Sequence, residues 1–482
     1  MYYINRNGGI KGALKEINYG TNNNFSYTYD AVGRIKTELK NGVLNREYEY
    51  DSMGQLTAEY LYDPAVVALY TDDTTVDRIK LYYIYNINGN LTEQGCNKEW
   101  LDESGNATTS NLSLNTYGYY GSHDTGYWLS PLMYDGNEEI AYDSMGNPLN
   151  YFGKNFTWEN GRELASITSS SGASIASYEY DASGLRISKN TTSGGTVYYV
   201  YDESSNLIFE KHSDYTLAFY YDGNGIRTHF TKKSDSGFET YYYRYNLQGD
   251  IIALLNNAGT VVAEYNYTAY GKPIGTVGEI GNLNPFRYRG YYYDNETGFY
   301  YLQSRYYDPN TTRFINADAA EFVGATGTPL SFNLFLYCEN DPVNSVDETG
   351  FWAEKLYNFK LIPEGFTADV NARFLSEAYC RIYAADIYYR YLFKNKGIRR
   401  MGIVRMAAEI YAHALAYYFG SIMVKFGISR GASYVKHGKQ LYINYNDKWA
   451  YKYWIVWGAS RYIKHSLLAI IPGYMYYLWI IM

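Results

Sequence analysis

The sequence predicts a mainly β fold: a curled antiparallel sheet of short hairpins, followed by a small α+β or helical C-terminal domain. Three observations predict it. Tyrosine supplies 62 of the 482 residues, and a ring with a hydroxyl suits a pleated surface that is dry on one side and wet at its edge. A Tyr-x-Tyr-Asp-x-x-Gly cadence recurs at about 21 residues, from Asp30 to Asp51 and from Asp181 to Asp202. The cadence then stops near Phe351, where the charge balance reverses. Residues 352–482 hold 18 Lys/Arg against 7 Asp/Glu, whereas the preceding residues hold 24 against 43. Such an asymmetry marks a boundary; the basic segment either carries a plain solvated basic face or meets an anionic partner, which is nucleic acid, membrane phospholipid or the acidic first part of the chain itself.

The repeats justify the reading of 1–283 as hairpins. YTYDAVGRI (27–35), YEYDSMGQL (48–56), YIYNINGNL (83–91), AYDSMGNPL (141–149) and YEYDASGLRI (178–187) share one plan. YVYDESSNLI (199–208), FYYDGNGI (219–226), YRYNLQGDI (243–251) and YNYTAYGKPI (265–274) continue it. Tyr-x-Tyr places both rings on one face of a strand. Asp or Asn then caps a turn through its own side chain, and Gly supplies the left-handed backbone. An apolar residue two positions later starts the return strand. A lone hairpin is marginal, so successive hairpins are expected to pair edge to edge in one continuous sheet. An irregular stretch is expected over 63–116.

Residues 284–351 form a different segment. PFRYRGYYYDNETGFYYLQSRYYDPNTTRFINAD (285–318) and NLFLYCENDPVNSVDETG (333–350) resemble the RHS repeat-associated core, and the repeats resemble the RHS/YD-repeat family. The resemblance covers about residues 20–350. It implies a shell: a spiral wall of repeats, a core segment that closes one end, and a variable C-terminal domain as cargo. Many such cargoes are polymorphic toxins used in bacterial competition, which implies an immunity protein as partner and a secreted or cell-surface location. The chain shows only part of a full shell pattern, so upstream repeats of a longer parent are a further expected partner. A partial wall would not enclose the segment 352–482. The alternative classes are a non-enzymatic surface protein that binds glycans or cell wall, and an inert remnant.

The resemblance also implies self-cleavage between core and cargo by paired aspartates. Such chemistry needs two carboxyl groups that share a proton, one as base and one as acid. Asp318 and Asp347 stand where the two motifs begin, without the prolines that usually follow; Asp341 is a third carboxylate and Arg313 a nearby cation. The cut is expected after Phe351. The competing reading makes these residues turn caps.

Beyond Trp352, apolar residues at helical spacing predict helices over 372–393 and 400–426, and 441–457 reads as two strands. Arg405, Glu409 and His413 fall on one helix face and form a candidate effector site, with Glu–His as base and Arg as phosphate holder, against a plain i,i+4 polar stripe. His437 and His465 lack metal-site spacing, so neither metal nor cofactor is expected. The uncharged end, 466–482, is short for a bilayer span and is broken by Pro472-Gly473. Cys96, Cys338 and Cys380 are too few and too scattered for a disulfide framework. No export signal is visible at the first residues.

Overall fold

The computed structural model describes residues 14–19, 24–119, 131–133, 139–319, 322–323, 328–351 and 353–355. All of these but Thr328 belong to one compact unit, formed by Met1–Ala325 and Pro329–Phe359. The helices and strands expected after Trp352 lie outside the described residues.

The repeats do form antiparallel hairpins, in two sheets. The first holds β1 (Glu16–Asn18), β2 (Asn24–Tyr29), β3 (Ile35–Lys40), β4 (Val43–Tyr50), β5 (Leu56–Leu61), β6 (Arg78–Tyr85), β7 (Leu91–Leu101) and β8 (Ala107–Thr116). Its spatial order is the sequence order. A one-turn helix, α1 (Pro64–Val67), sits between β5 and β6 and is capped by Asp63. The second sheet begins with β9 (Asn150–Tyr151), β10 (Lys154–Glu159), β11 (Glu163–Ser169), β12 (Ser174–Tyr180), β13 (Arg186–Thr191) and β14 (Gly195–Tyr201). It continues through β15 (Leu207–Lys211), β16 (Tyr215–Tyr221), β17 (Arg227–Ser234), β18 (Gly237–Tyr245), β19 (Ile251–Leu255) and β20 (Val261–Glu264), again in sequence order.

The single continuous sheet is thus corrected to two, and the irregular stretch is displaced. Residues 63–116 contain regular strands, including the longest, β7; the break between the sheets falls between β8 and β9. The repeat within that break keeps its turn, since Asp143 Oδ1 accepts from Met145 N at 2.8 Å and Asn147 N at 2.9 Å. The turn is a local device; pairing to a neighbouring hairpin is not.

Each turn is built as its residues dictate. Asp51 Oδ1 accepts from Met53 N and Gln55 N, both at 2.9 Å, and Gly54 takes φ +89° to close the loop. Asp181, Asp222 and Asn246 repeat the pattern. Where Ser205 replaces the glycine it still adopts φ +63°.

The two tyrosines of a repeat share a face but have different tasks. The first is buried: Tyr48, Tyr83, Tyr178 and Tyr199. The second is half-buried and donates its hydroxyl to the preceding strand. Tyr50 reaches Ile35 O at 2.7 Å, Tyr85 Leu56 O at 2.7 Å, Tyr201 Arg186 O at 2.8 Å, Tyr221 Leu207 O at 2.8 Å and Tyr245 Arg227 O at 2.6 Å. Each rung ties one hairpin to the one before it, which gives this tyrosine-rich composition a mechanical reason.

The core segment lies against the dry faces of both sheets. The last repeat, β21 (Asn266–Tyr267) with β22 (Pro273–Ile274), and the helix α2 (Gly278–Leu283) lead into it. It then folds into β23 (Tyr292–Asp294), β24 (Phe299–Tyr301), β25 (Tyr306–Asp308), β26 (Arg313–Phe314) and β27 (Ser345–Val346), the last paired with β28 (Glu354–Lys355). Tyr292 packs edge-on to Tyr199 with centroids 5.6 Å apart, Phe286 to Phe219 at 4.9 Å, and Tyr270 to Tyr83 at 4.9 Å. These repeat aromatics are therefore covered by the core segment and the repeat that leads into it.

Candidate functional site at the core junction

The strongest convergence of ionisable groups near the end of the core centres on Arg305, in the turn between β24 and β25. Its side chain is 3% exposed and its guanidinium stacks 3.5 Å over the Phe314 ring. Nη2 lies 3.1 Å from Asp318 Oδ2 and 3.4 Å from Asp347 Oδ2, so one cation bridges the two carboxylates. Nη1 donates to Leu334 O at 2.9 Å, and Nε donates to the carbonyl oxygen of Gly350. Arg162 adds a second, more distant cation, 3.8 Å from Asp318 Oδ1.

Both carboxylates are nearly dry, with side chains 5% and 2% exposed. Asp347 Oδ1 accepts from Gly350 N at 2.7 Å, and its own amide donates to Tyr291 Oη at 3.0 Å. Asp318 Oδ1 accepts from Ala319 N at 2.6 Å. Burial pushes the Asp347 carboxyl up to about 6; Arg305 opposes the shift and Asp318 adds to it. Desolvation likewise pulls the Arg305 guanidinium below its ordinary value, against both carboxylates. The result is two buried carboxylates, Asp347 with its proton affinity raised, bridged by a cation that also donates to a backbone carbonyl. Phe351, the next residue, is exposed.

Of the residues singled out from sequence, the structure brings together Asp318 and Asp347. Asp341 is held elsewhere, accepting from Asn344 Nδ2 at 2.7 Å at the foot of a left-handed turn formed by Cys338, Glu339 and Asn340. Arg313 faces the first sheet: Nη1 donates to Asn90 Oδ1 at 3.1 Å, and the guanidinium lies 4.7 Å over the Tyr119 ring. Pairing of Asp308 with Arg313 across β25 and β26 fixes that orientation. The cation beside the two carboxylates is therefore Arg305 and not Arg313, the one expected from the sequence. Both β25 and β26 lie between Arg305 and Asp318 along the chain, and Arg305 reaches the carboxylate only through the β24–β25 turn. Arg405, Glu409 and His413 lie outside the described residues, as do His437, His465 and the apolar end.

Comparison with known proteins places this architecture. The Teneurin YD-shell family model matches residues 67–343, more than half of the chain. The tRNA3(Ser)-specific nuclease WapA of Bacillus spizizenii is 35% identical over 227 residues, which is 46% of this chain and 9% of that protein. Teneurin-3 of Danio rerio is 23% identical over 384 residues, 74% of this chain and 12% of that protein. Among solved structures, the TcdB2-TccC3 crystal structure without its hypervariable C-terminal region matches with a TM-score of 0.53 at 18% identity. It covers 70% of this chain and 18% of that one, and this likeness shows the fold alone. The chain thus spans about a tenth of the length of the curated relatives it matches. Two sheets of tyrosine-pinned hairpins wrapped on an aromatic core segment, and a family match across most of them, make this chain a member of the Teneurin YD-shell family.

Proposed function

We propose that the chain is a shell segment of a secreted or surface-exposed toxin-type protein, and that it cuts itself at the junction with the segment beyond Phe351. The observation that carries the proposal is the Asp318–Arg305–Asp347 bridge beside the Gly350 carbonyl. In the cut, Asp318 takes a proton from water, whose oxygen adds to the Phe351 carbonyl carbon, one residue beyond the Gly350 carbonyl that Arg305 holds. Asp347, which holds a proton up to about pH 6, gives it to the departing amide nitrogen as the C–N bond breaks. Arg305 fixes the junction by holding both carboxylates and the Gly350 carbonyl, and its charge favours the negative charge that develops on the neighbouring Phe351 oxygen. The products are a new carboxylate and a new amine.

The expected fragment is the segment 352–482, a little over a quarter of the 55.4 kDa chain, beginning at Trp352. It should appear on expression of the full chain and vanish in Asp347→Asn, Asp318→Asn and Arg305→Lys, while Asp341→Asn still cuts. A chain that stays whole between pH 5 and 8, or a cut that persists in Asp347→Asn, removes the proposal and leaves a structural ion pair.

The released segment, with its excess of Lys and Arg, is proposed to act on an anionic target. Nucleic acid is favoured over membrane because relatives matched by the shell are named tRNA nucleases. Arg405, Glu409 and His413 are its proposed site, and bacterial competition with a protective immunity protein its proposed setting. Induction of 352–482 in a bacterial host is expected to arrest growth and degrade RNA, and Glu409→Gln to relieve both. Harmless expression would count against the toxin reading.

A further inference from the structure

Burying a carboxylate is costly unless a cation accompanies it, and β3 buries Glu38 without an ion pair among the described residues. Glu38 is 4% exposed, and both of its hydrogen-bond partners are neutral: Asn45 Nδ2, at 2.6 Å, and the Tyr27 hydroxyl. Arg46 stands opposite it across β3 and β4 but is spent on Glu59. A carboxylate offers about four acceptor sites, so Glu38 keeps capacity beyond these two bonds. Burial pushes its carboxyl upward against the pull of Arg46, which is the signature of a charge short of a partner.

Glu38 lines a cavity of about 380 Å³ between the first sheet and the end of the second, a volume in the range of small-molecule sites. The other charges of this wall are matched. Lys40 pairs with Asp63 at 3.4 Å and Arg289 Nη1 with Asp250 at 3.3 Å, while Arg244 and Glu264 add one charge of each sign. With Glu59 behind Arg46, five carboxylates meet four cations. Gln248 Oε1, also in the wall, is buried without a hydrogen-bond partner among the described residues, so a second acceptor is open. Leu61, Val66 and the parallel rings of Tyr265 and Tyr267, 6.3 Å apart and inclined by 4°, supply an apolar side. Ala65, at the mouth, is exposed. Among the described residues, no three His, Cys, Asp or Glu side chains converge as a metal ion would require.

We infer that this cavity binds a primary alkylammonium ion, whose N–H groups donate to Glu38 and Gln248 while its hydrocarbon chain lies against Leu61, Val66 and the tyrosine rings. An ammonium group has three donors and no acceptor, so it suits a wall whose open groups are acceptors. Its charge supplies the cation that Glu38 lacks and leaves every existing ion pair intact. An anion would have to displace a carboxylate from Lys40, Arg46 or Arg289. The site is independent of cleavage at the junction.

The test uses the full chain and saturation-transfer NMR with n-butylammonium, and with n-butanol and butyrate as the neutral and anionic chains of the same length. Butylammonium is expected to bind with a dissociation constant on the order of millimolar, given its size, and the other two to bind far more weakly. Nα-acetyl-lysine amide carries the same group on a peptide backbone. Beside bound butylammonium, its binding assigns the site to lysine side chains as well, and its failure assigns the site to free amines. Glu38→Gln should weaken butylammonium by roughly 10–100-fold, through loss of a hydrogen bond to a charged group. It should not lower the unfolding temperature, because the carboxylate it removes is buried without an ion pair. Ala65→Trp, at the mouth, should abolish binding while leaving Glu38 in place. The inference is overturned if butylammonium receives no saturation, if both variants bind like the unaltered protein, or if butanol or butyrate binds as tightly as butylammonium.

Discussion

The second tyrosine of each repeat shows how much one hydroxyl settles. Tyr201→Phe removes the bond to Arg186 O and should cost about 1 kcal/mol. Tyr48→Phe, at a first-tyrosine position with no such bond, should cost close to nothing; chemical denaturation of the two variants checks the contrast. Ser205 stands in a left-handed conformation that penalises any side chain. Ser205→Gly should stabilise by about 0.5–1 kcal/mol, the left-handed penalty less the entropy of glycine. The carboxyl groups separate into two classes. Turn aspartates such as Asp181 and Asp202 sit below their ordinary value, chiefly through side-chain bonds from Ser183 and Asn206. Their contribution to stability is present above about pH 4 and is lost as pH falls through their folded values. Asp347 runs the other way: raised to about 6, it favours folding below its unfolded value, and that share is lost as pH rises through 6. If Asp347 is the acid of the junction, cleavage should also speed up as pH drops from 8 to 6. A quenched time course on gels measures this.

At the level of elements, the hairpins were legible in the sequence and their partners were not. Tyr-x-Tyr-Asp-x-x-Gly fixes strand, turn and return strand from neighbours a few residues apart, and all three appear at each such repeat except the one at 141–149, which keeps its turn. The motif at 141–149 keeps its Asp, turn and Gly but has Ile140 where the first tyrosine would stand, and the sheet breaks beside it. Edge pairing depends on contacts many residues away, and a turn motif carries no record of them. The same applies to the junction: Asp318 and Asp347 could be named from their motifs, but Arg305 joins them only after β24 and β25 have paired. Three asparagines of the core segment dock on three successive turns of the first sheet. Asn344 Oδ1 accepts from Ile35 N at 2.8 Å, Asn340 Nδ2 donates to Gly89 O at 2.7 Å and Gln55 Oε1 at 2.9 Å, and Asn333 Nδ2 donates to Asn90 Oδ1 at 2.7 Å. On the second sheet Arg186 takes that part. It holds Asp294 through Nη1 at 2.7 Å and Nη2 at 3.1 Å, with the Tyr301 ring 4.4 Å away. Arg186→Met should cost about 3–5 kcal/mol, because Asp294 would remain buried with only Lys189 beside it. Thermal unfolding of that variant against Asn340→Ala would rank the two docking modes.

Across the described unit, stability is expected to be uneven. Among the described residues β8 is almost wholly exposed and pairs with β7 alone, whereas β12–β17 are paired on both sides and covered by core aromatics. Amide hydrogen exchange should therefore be fastest in β8 among the strands of the first sheet, and slowest in the central strands of the second. Slow exchange throughout β8 would show that another surface covers it.

The hydroxyl rungs join each hairpin to its predecessor, so the energy of the wall grows course by course, as in brickwork. Inserting or removing one course leaves every other rung with its own carbonyl. Length is then nearly free to drift between relatives. The limit comes from the three asparagine docks, which require at least the courses they grip, so lineages should vary in wall height while keeping those turns.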